Sequence, residues 1–292
     1  MGNKSSADGG GLASQGFTTR ARLAGTVVRG NTAAFEGGGI AVEFRTSLSL
    51  SSGTISGNSA GDEGGGLAVL GFAFATIRDA AIRGNTATDG GGGVAVFGGG
   101  RLTMADGLIR ANSTQQTGGG VAVEGVYRHA QSTATITGTT ISGNSAGTGG
   151  GIELSLAAVK LADDVISGDT ASTDGGGIAN DPVTELVITG TSITRDASGG
   201  DGGGISNIGI ATLTSDSVSA NSAAGSGGGI LSAAGRIGLV HVEGTMTLRS
   251  GTSVTRNRAA AGGGVYVAAG TVTVDGATVR GNVPDNCAPA GC

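Results

Sequence analysis

The sequence predicts an all-β fold, a right-handed parallel β-helix (solenoid) of about ten coils with about 27 residues in each coil. Three observations lead to this prediction. A glycine triplet recurs along the chain, an asparagine or aspartate precedes each triplet, and apolar residues alternate with small or polar ones in between. Such a period is typical of solenoids, in which each unit buries its apolar face only by stacking on its neighbours. Right-handed winding is expected because parallel crossover connections overwhelmingly take that hand.

The glycine triplets set the length of the repeat. Successive triplets lie 28, 27, 27, 27, 31, 26, 27, 25 and 35 residues apart. Glycine tolerates positive φ and close backbone approach, so each triplet is predicted to form a sharp corner. The first residues of the triplets are Gly9, Gly37, Gly64, Gly91, Gly118, Gly149, Gly175, Gly202, Gly227 and Gly262.

An asparagine or aspartate lies five or six residues before every triplet. Asparagine accommodates the left-handed conformation, and stacked side-chain amides can hydrogen-bond from one coil to the next. We therefore expect left-handed turns and a continuous amide ladder at these positions, which are Asn3, Asn31, Asn58, Asn85, Asn112, Asn144, Asp169, Asp196, Asn221 and Asn257.

Between these markers the chain alternates apolar and small residues, as in Val94-Ala95-Val96. A period of two with many β-branched residues predicts short strands that bury one face, about three in each unit. The residue three positions before the asparagine is always apolar, so Ile55, Ile82 and Ile109 are expected to form one inward stack.

The repeat region is predicted to span residues 1–282, followed by a C-terminal tail, 283–292, that carries both cysteines. Cys287 and Cys292 are predicted to form a disulfide in an oxidising compartment, with two free thiols as the alternative. The chain begins inside a repeat unit, so we expect that its natural N-terminus, with a cap and an export signal, lies upstream. Two units are longer than the rest, and their insertions hold His129 and His241.

Composition excludes some classes of protein. The net charge is −5 and the pI is about 5.0, which argues against sequence-independent binding to nucleic acid. No apolar run approaches the ~20 residues of a membrane helix, so no transmembrane segment is predicted. We expect a monomer.

Gly37-Gly38-Gly39-Ile40, followed by Ile55-Ser56-Gly57-Asn58, resembles the polymorphic outer-membrane protein repeats. The pattern is similar to autotransporter-passenger-like repeats and to bacterial right-handed parallel β-helix repeat proteins in general. This resemblance implies a secreted or cell-surface protein that contacts a polysaccharide or a host or cell-surface protein. Outer-membrane members often carry Gly-Gly-Ala and Phe-x-x-Asn instead, and no membrane β-barrel sequence follows Asn282.

The seventh and eighth units replace asparagine by Asp169 and Asp196, and they carry Asp174 and Asp201 just before the triplet. Stacking predicts that the equivalent carboxylates approach to ~5 Å at Cα. One hypothesis is a calcium site formed by all four residues. A second is a polysaccharide lyase or glycoside hydrolase that uses Asp169, Asp196 and Asp201. The alternative, which we favour, is ordinary turn aspartates with no metal and no cofactor.

Two functions therefore remain open from the sequence. No complete catalytic set is present, and the chain has no tryptophan and few other aromatic residues. These features favour a non-catalytic role in adhesion, surface display or polysaccharide contact over an enzyme. The phenylalanines cluster in the second to fourth units, where they either line one wall or plug the end of the solenoid: Phe35, Phe44, Phe72, Phe74 and Phe97.

Overall fold

The protein is a parallel β-helix. The structure, a computed structural model, describes residues 2–126 and 130–289. Each coil passes in turn through four parallel sheets, which we name A, B, C and D, and each strand pairs with its equivalents in the adjacent coils. These described residues contain no helix. The predicted all-β solenoid is confirmed.

The strands of one sheet share their place in the repeat. Sheet A contains the two-residue strands Lys4–Ser5, Thr32–Ala33, Ser59–Ala60, Thr86–Ala87, Ser113–Thr114, Ser145–Ala146, Thr170–Ala171, Ala197–Ser198 and Ser222–Ala223. Sheet B, after the glycine triplets, contains Leu12–Ser14, Ile40–Val42, Leu67–Leu70, Val94–Phe97, Val121–Glu124, Ile152–Ser155, Ile178–Asn180, Ile205–Asn207, Ile230–Ser232, Val265–Val267 and Cys287–Ala288.

The other two sheets complete each coil. Sheet C contains Arg20–Ala24, Ser47–Ser51, Phe74–Arg78, Arg101–Ala105, Ser132–Thr137, Ala157–Ala162, Glu185–Thr189, Ile210–Thr214, Thr245–Arg249 and Thr271–Asp275. Sheet D contains Val27–Arg29, Thr54–Ser56, Ala81–Arg83, Leu108–Arg110, Thr140–Ser142, Val165–Ser167, Ser192–Thr194, Ser217–Ser219, Ser253–Thr255 and Thr278–Arg280. Each coil thus holds up to four strands rather than the three expected, because the two residues that follow the asparagine also pair with their equivalents in the adjacent coils.

The core is a set of apolar stacks that run along the axis. Ile55 is in register with Ile82, and Ile82 with Ile109. All three side chains are fully buried, as the inward stack predicted. Because parallel strands repeat every ~4.8 Å, each inward residue packs against its equivalents above and below.

The left-handed turn lies one residue earlier than expected. The residue before the asparagine has positive φ, as at Gly84 (62°) and Ala111 (53°), whereas Asn85 and Asn112 do not. This turn directs the asparagine side chain into the coil, where Asn85 is fully buried.

The glycine triplets are needed because neighbouring coils approach closely there. A Cβ atom on Gly92 would lie 2.5 Å from the carbonyl oxygen of Ser113 and 2.6 Å from that of Gly119. Both contacts are with backbone atoms that belong to the next coil, so no side chain fits at this corner.

The longer ninth unit forms an antiparallel hairpin of Ala234–Ile237 and Val240–Glu243 between sheets B and C. Its tip residue Leu239 is almost fully exposed. Within residues 2–126 and 130–289, no helix is long and apolar enough to cross a membrane.

Candidate functional site

A ladder of hydrogen bonds runs inside the D–A corner, where sheet D gives way to sheet A. Asn85 Nδ2 donates to Asn112 Oδ1 of the next coil (3.0 Å) and to the carbonyl oxygen of Ile55 in the preceding one (3.1 Å). Its main-chain N–H donates to the same Oδ1 (3.0 Å). The same bonds recur at Asn58 and Asn144, so the predicted amide ladder is present.

Asp169 and Asp196 take the place of asparagine in two consecutive rungs of this ladder. Both side chains are fully buried. Burial raises the pKa of Asp169 to about 7. Burial, together with the carboxylate of Asp169, raises the pKa of Asp196 well above its ordinary value. Oδ2 of each residue has no hydrogen-bond partner. We infer that a proton on Oδ2 replaces the amide N–H of asparagine, since a buried unpaired charge is costly.

Asp174 and Asp201 lie outside the ladder, at the partly exposed corner before the triplet. The main-chain N–H of Asp201 donates to Oδ1 of Asp174 (2.7 Å), and that of Ser226 donates to Oδ1 of Asp201. The structure therefore does not bring the four carboxylates into one patch: two are buried in the ladder, and two cap backbone groups at the surface. Among the described residues, no three His, Cys, Asp or Glu side chains are close enough to hold a metal ion.

The remaining residues singled out from the sequence fall in two places. His241 lies on the exposed hairpin, with Nε2 3.8 Å from Oε1 of Glu243. His129 and Cys292 lie outside the described residues. The disulfide between Cys287 and Cys292 therefore stays a prediction.

The B–C corner, between sheets B and C, carries a row of exposed phenylalanines. We call Phe17, Phe44, Phe72, Phe74 and Phe97 the aromatic stripe. Phe17 is 78% exposed, Phe44 56% and Phe72 47%. These side chains come from four successive coils, so they form a wall along the rod and do not plug its end.

Two arginines pack over rings of the aromatic stripe, and a glycine leaves space for one of these rings. The guanidinium of Arg45 lies over the ring of Phe72 at 5.8 Å from its centroid, and that of Arg101 lies over Phe74 at 5.7 Å. Such cation–π contacts orient half-exposed rings. A Cβ atom on Gly99 would lie 2.7 Å from the ring of Phe72, so this glycine leaves room for a ring of the preceding coil.

Comparison with known proteins agrees with this architecture. Residues 17–180, more than half of the chain, match the family described as the right handed beta helix region. The chain belongs to the right-handed β-helix family. The predicted handedness is thereby confirmed. A solved structure, the TibC-catalyzed hyper-glycosylated TibA fragment, is 18% identical, with 98% of each chain covered and a TM-score of 0.17. No curated protein matches the chain significantly.

A second group of acidic residues lies on the outer face of sheet B of this β-helix. Glu153 occupies a position that is alanine in the adjacent coils, at Ala122 and Ala179, and it is only 2% exposed. Burial and the nearby carboxyl groups of Glu124 and Asp181 raise the pKa of Glu153 well above its ordinary value. In the sequence, Glu153 is a single glutamate at a repeat position that is alanine in the adjacent coils. The sequence analysis did not single it out.

A second buried ladder, at the turn between sheets C and D, was also missed. The main-chain N–H of Thr139 donates to Oδ1 of Asp164 (2.7 Å), and the N–H of Thr191 donates to Oδ1 of Asp216 (2.7 Å). Threonine and aspartate recur in one column of the β-helix, and that repetition was the available signal. Asp164, next to Asp163 in sequence, thus caps backbone groups in the interior.

Proposed function

We propose that this β-helix is a secreted or cell-surface protein that binds a polysaccharide without altering it, and that the aromatic stripe is the binding surface. The observation that carries the proposal is the exposure of five phenylalanines along one corner of the rod. Only six phenylalanines occur in the chain, and five of them are exposed to solvent along the B–C corner.

Exposed apolar rows of this kind are unusual on soluble proteins and mark interaction surfaces. A phenyl ring offers a flat apolar face to the C–H face of a sugar ring. The guanidinium groups of Arg45 and Arg101, beside Phe72 and Phe74, supply donors for sugar hydroxyl groups. Because the rings follow the coil spacing, an extended polymer contacts several of them at once, which favours a polysaccharide over a small sugar.

The geometry supports binding better than catalysis. Asp169 and Asp196 have no exposed surface, so a bound polymer does not reach them in the folded protein. Asp201 lies at the A–B corner, between sheets A and B, and sheet B separates it from the aromatic stripe. The disulfide predicted in the C-terminal tail is consistent with an oxidising, extracellular compartment.

Affinity electrophoresis tests this proposal. The intact protein is run through gels that contain uncharged glucan, mannan, xylan or galactan, and retardation by at least one of them is expected. The variant Phe44→Ala/Phe72→Ala/Phe74→Ala should lose that retardation. The variant Phe35→Ala is the matched control, because Phe35 is 51% exposed but lies at the A–B corner.

Two outcomes overturn the proposal. One is migration of the wild type unchanged by all four polymers, and the other is equal loss of retardation in the Phe35→Ala control. Release of reducing ends or unsaturated products by the wild type, abolished by Asp201→Asn, would instead establish the enzymatic alternative.

A further inference from the structure

The outer surface at the D–A corner carries arginines and no acidic residue. The last residue of each sheet D strand and the turn residue after it give two positions in each of ten coils. Six of these positions are arginine and none is aspartate or glutamate, although the chain holds more acidic than basic residues. We call the six the arginine edge: Arg29, Arg83, Arg110, Arg195, Arg256 and Arg280.

Three of these arginines line a shallow groove in the first four coils. The register runs from Arg29 to Ser56, then to Arg83 and Arg110 in successive coils. The groove has a volume of about 580 Å³. Ser56 lies between the arginines and is only 9% exposed, since long arginine stems cover the residue between them. Ser56 is therefore the floor of the groove, and the arginines are its walls.

None of these guanidinium groups has a carboxylate oxygen within 4 Å among the described residues. Across residues 2–126 and 130–289, the only ion pair within 4 Å joins His241 to Glu243. The arginine edge is thus a positively charged strip without close salt bridges on a protein whose net charge is −5. The acidic residues Glu124 and Glu153 lie on sheet B. The exposed Asp79 and Asp106 lie at the turn between sheets C and D, at the opposite end of the sheet D strands from Arg83 and Arg110.

The turn residues beside the groove leave space for a ligand. A Cβ atom built on Gly57 or Gly84 would meet no atom within 4 Å. A ligand can therefore approach the backbone at the corner, and the arginines beside it can turn towards that ligand.

We propose that the arginine edge is a second binding site, specific for an anionic polysaccharide that bears carboxylate or sulfate groups. Guanidinium groups pair with such anions through two parallel hydrogen bonds. Arg83 and Arg110 are one coil apart, ~4.8 Å, and Arg29 is two coils from Arg83. A flexible chain with a charge on every sugar or every second sugar meets all three. The edge continues to Arg280, which suits a long polymer. This site is independent of the aromatic stripe.

The experiment measures binding of the intact protein to dextran sulfate, to alginate and to uncharged dextran at several salt concentrations. We expect binding to at least one anionic polymer and none to dextran at this site. The variant Arg83→Gln/Arg110→Gln should weaken that binding at least tenfold at low salt. It should also lower the slope of log Kd against log salt concentration by about 2, roughly one for each contact between an arginine and an anionic group that is removed.

The matched control is Arg249→Gln/Arg258→Gln, which removes two exposed arginines outside the edge. It should bind like the wild type, and unchanged melting temperatures should show that both variants fold. Dextran sulfate and alginate distinguish sulfate from carboxylate recognition.

Three results would overturn the proposal. They are failure of the wild type to bind either anionic polymer, equal weakening in the Arg249→Gln/Arg258→Gln control, and equally tight binding of double-stranded DNA. Retention of uncharged polymers by the aromatic stripe is scored separately, so failure of one site is distinguishable from failure of the other.

Discussion

The main-chain N–H of Asp169 donates a 2.8 Å hydrogen bond to Oδ1 of Asp196. Two aspartates thus take consecutive rungs of a ladder that asparagine forms in the other coils. The equivalent asparagine, Asn221, uses its Nδ2 to donate to the carbonyl oxygen of Ile193 (3.0 Å). An ionised aspartate lacks that donor, so the stability of these two coils depends on a proton.

Replacement of Asp196 by asparagine should therefore stabilise the protein at high pH. At pH 8 we expect Asp196→Asn to raise the free energy of unfolding by about 1–3 kcal/mol. The amide of asparagine can donate to a buried main-chain carbonyl oxygen, as that of Asn221 does, without placing a charge in the interior. At about pH 4 the variant and the wild type should be nearly alike, because Asp196 is then protonated in the folded protein and largely so in the unfolded chain. Urea unfolding at both pH values measures the difference, and Asp201→Asn is the surface control. A loss of stability at pH 8 would contradict the protonated ladder.

The whole protein should lose stability as the pH rises from acidic to mildly basic values. Burial raises the pKa of Asp164 to about 6, that of Asp169 to about 7 and that of Glu63 to about 8. In the unfolded chain these groups titrate near 4. A raised pKa means that the folded state binds the proton more tightly than the unfolded chain does. The free energy of unfolding is therefore greatest below about pH 4, and it decreases as the pH rises through the pKa of each group in the folded protein.

Calorimetry between pH 5 and pH 8.5 checks this expectation. The melting temperature should fall steadily over the range. A melting temperature that rises with pH would show that these carboxyl groups are ionised in the folded protein.

The sequence predicted the coils and the amide ladder because spacing alone fixes which residues stack. It did not predict where the side chains of Asp169 and Glu153 lie. The left-handed turn one residue before the ladder directs Asp169 inwards. At Glu153 the glycine corner covers the outer face of sheet B: a Cβ atom on Gly149 would lie 2.8 Å from Cβ of Glu153. Both effects arise from the local path of the backbone within one coil, the turn at Gly168 (φ 66°) and the fold of Gly149 over Glu153, which the spacing of residue types does not contain.

The two kinds of corner glycine should differ strongly in their tolerance of alanine. We expect Gly92→Ala to lower the free energy of unfolding by about 3 kcal/mol, because its Cβ would overlap two backbone oxygens of the next coil. Gly84→Ala should cost only about 1–2 kcal/mol, the price of a left-handed alanine, since no atom is near. Ala111 already occupies the equivalent position in the next coil. Urea unfolding of both variants measures the losses, and equal losses would contradict the close approach of coils at the triplet.

Calcium should not change the stability of the wild type. Oδ1 of Asp174 accepts the main-chain N–H of Asp201, and Oδ1 of Asp201 accepts that of Ser226, so both carboxylates already have backbone partners. Equal melting temperatures are expected in millimolar calcium and in EDTA. The variant Asp174→Asn/Asp201→Asn keeps an acceptor oxygen at each site and should melt like the wild type in both buffers. An increase with calcium that this variant abolishes would establish a calcium site at these residues, because a ligand that binds only the folded state raises its melting temperature.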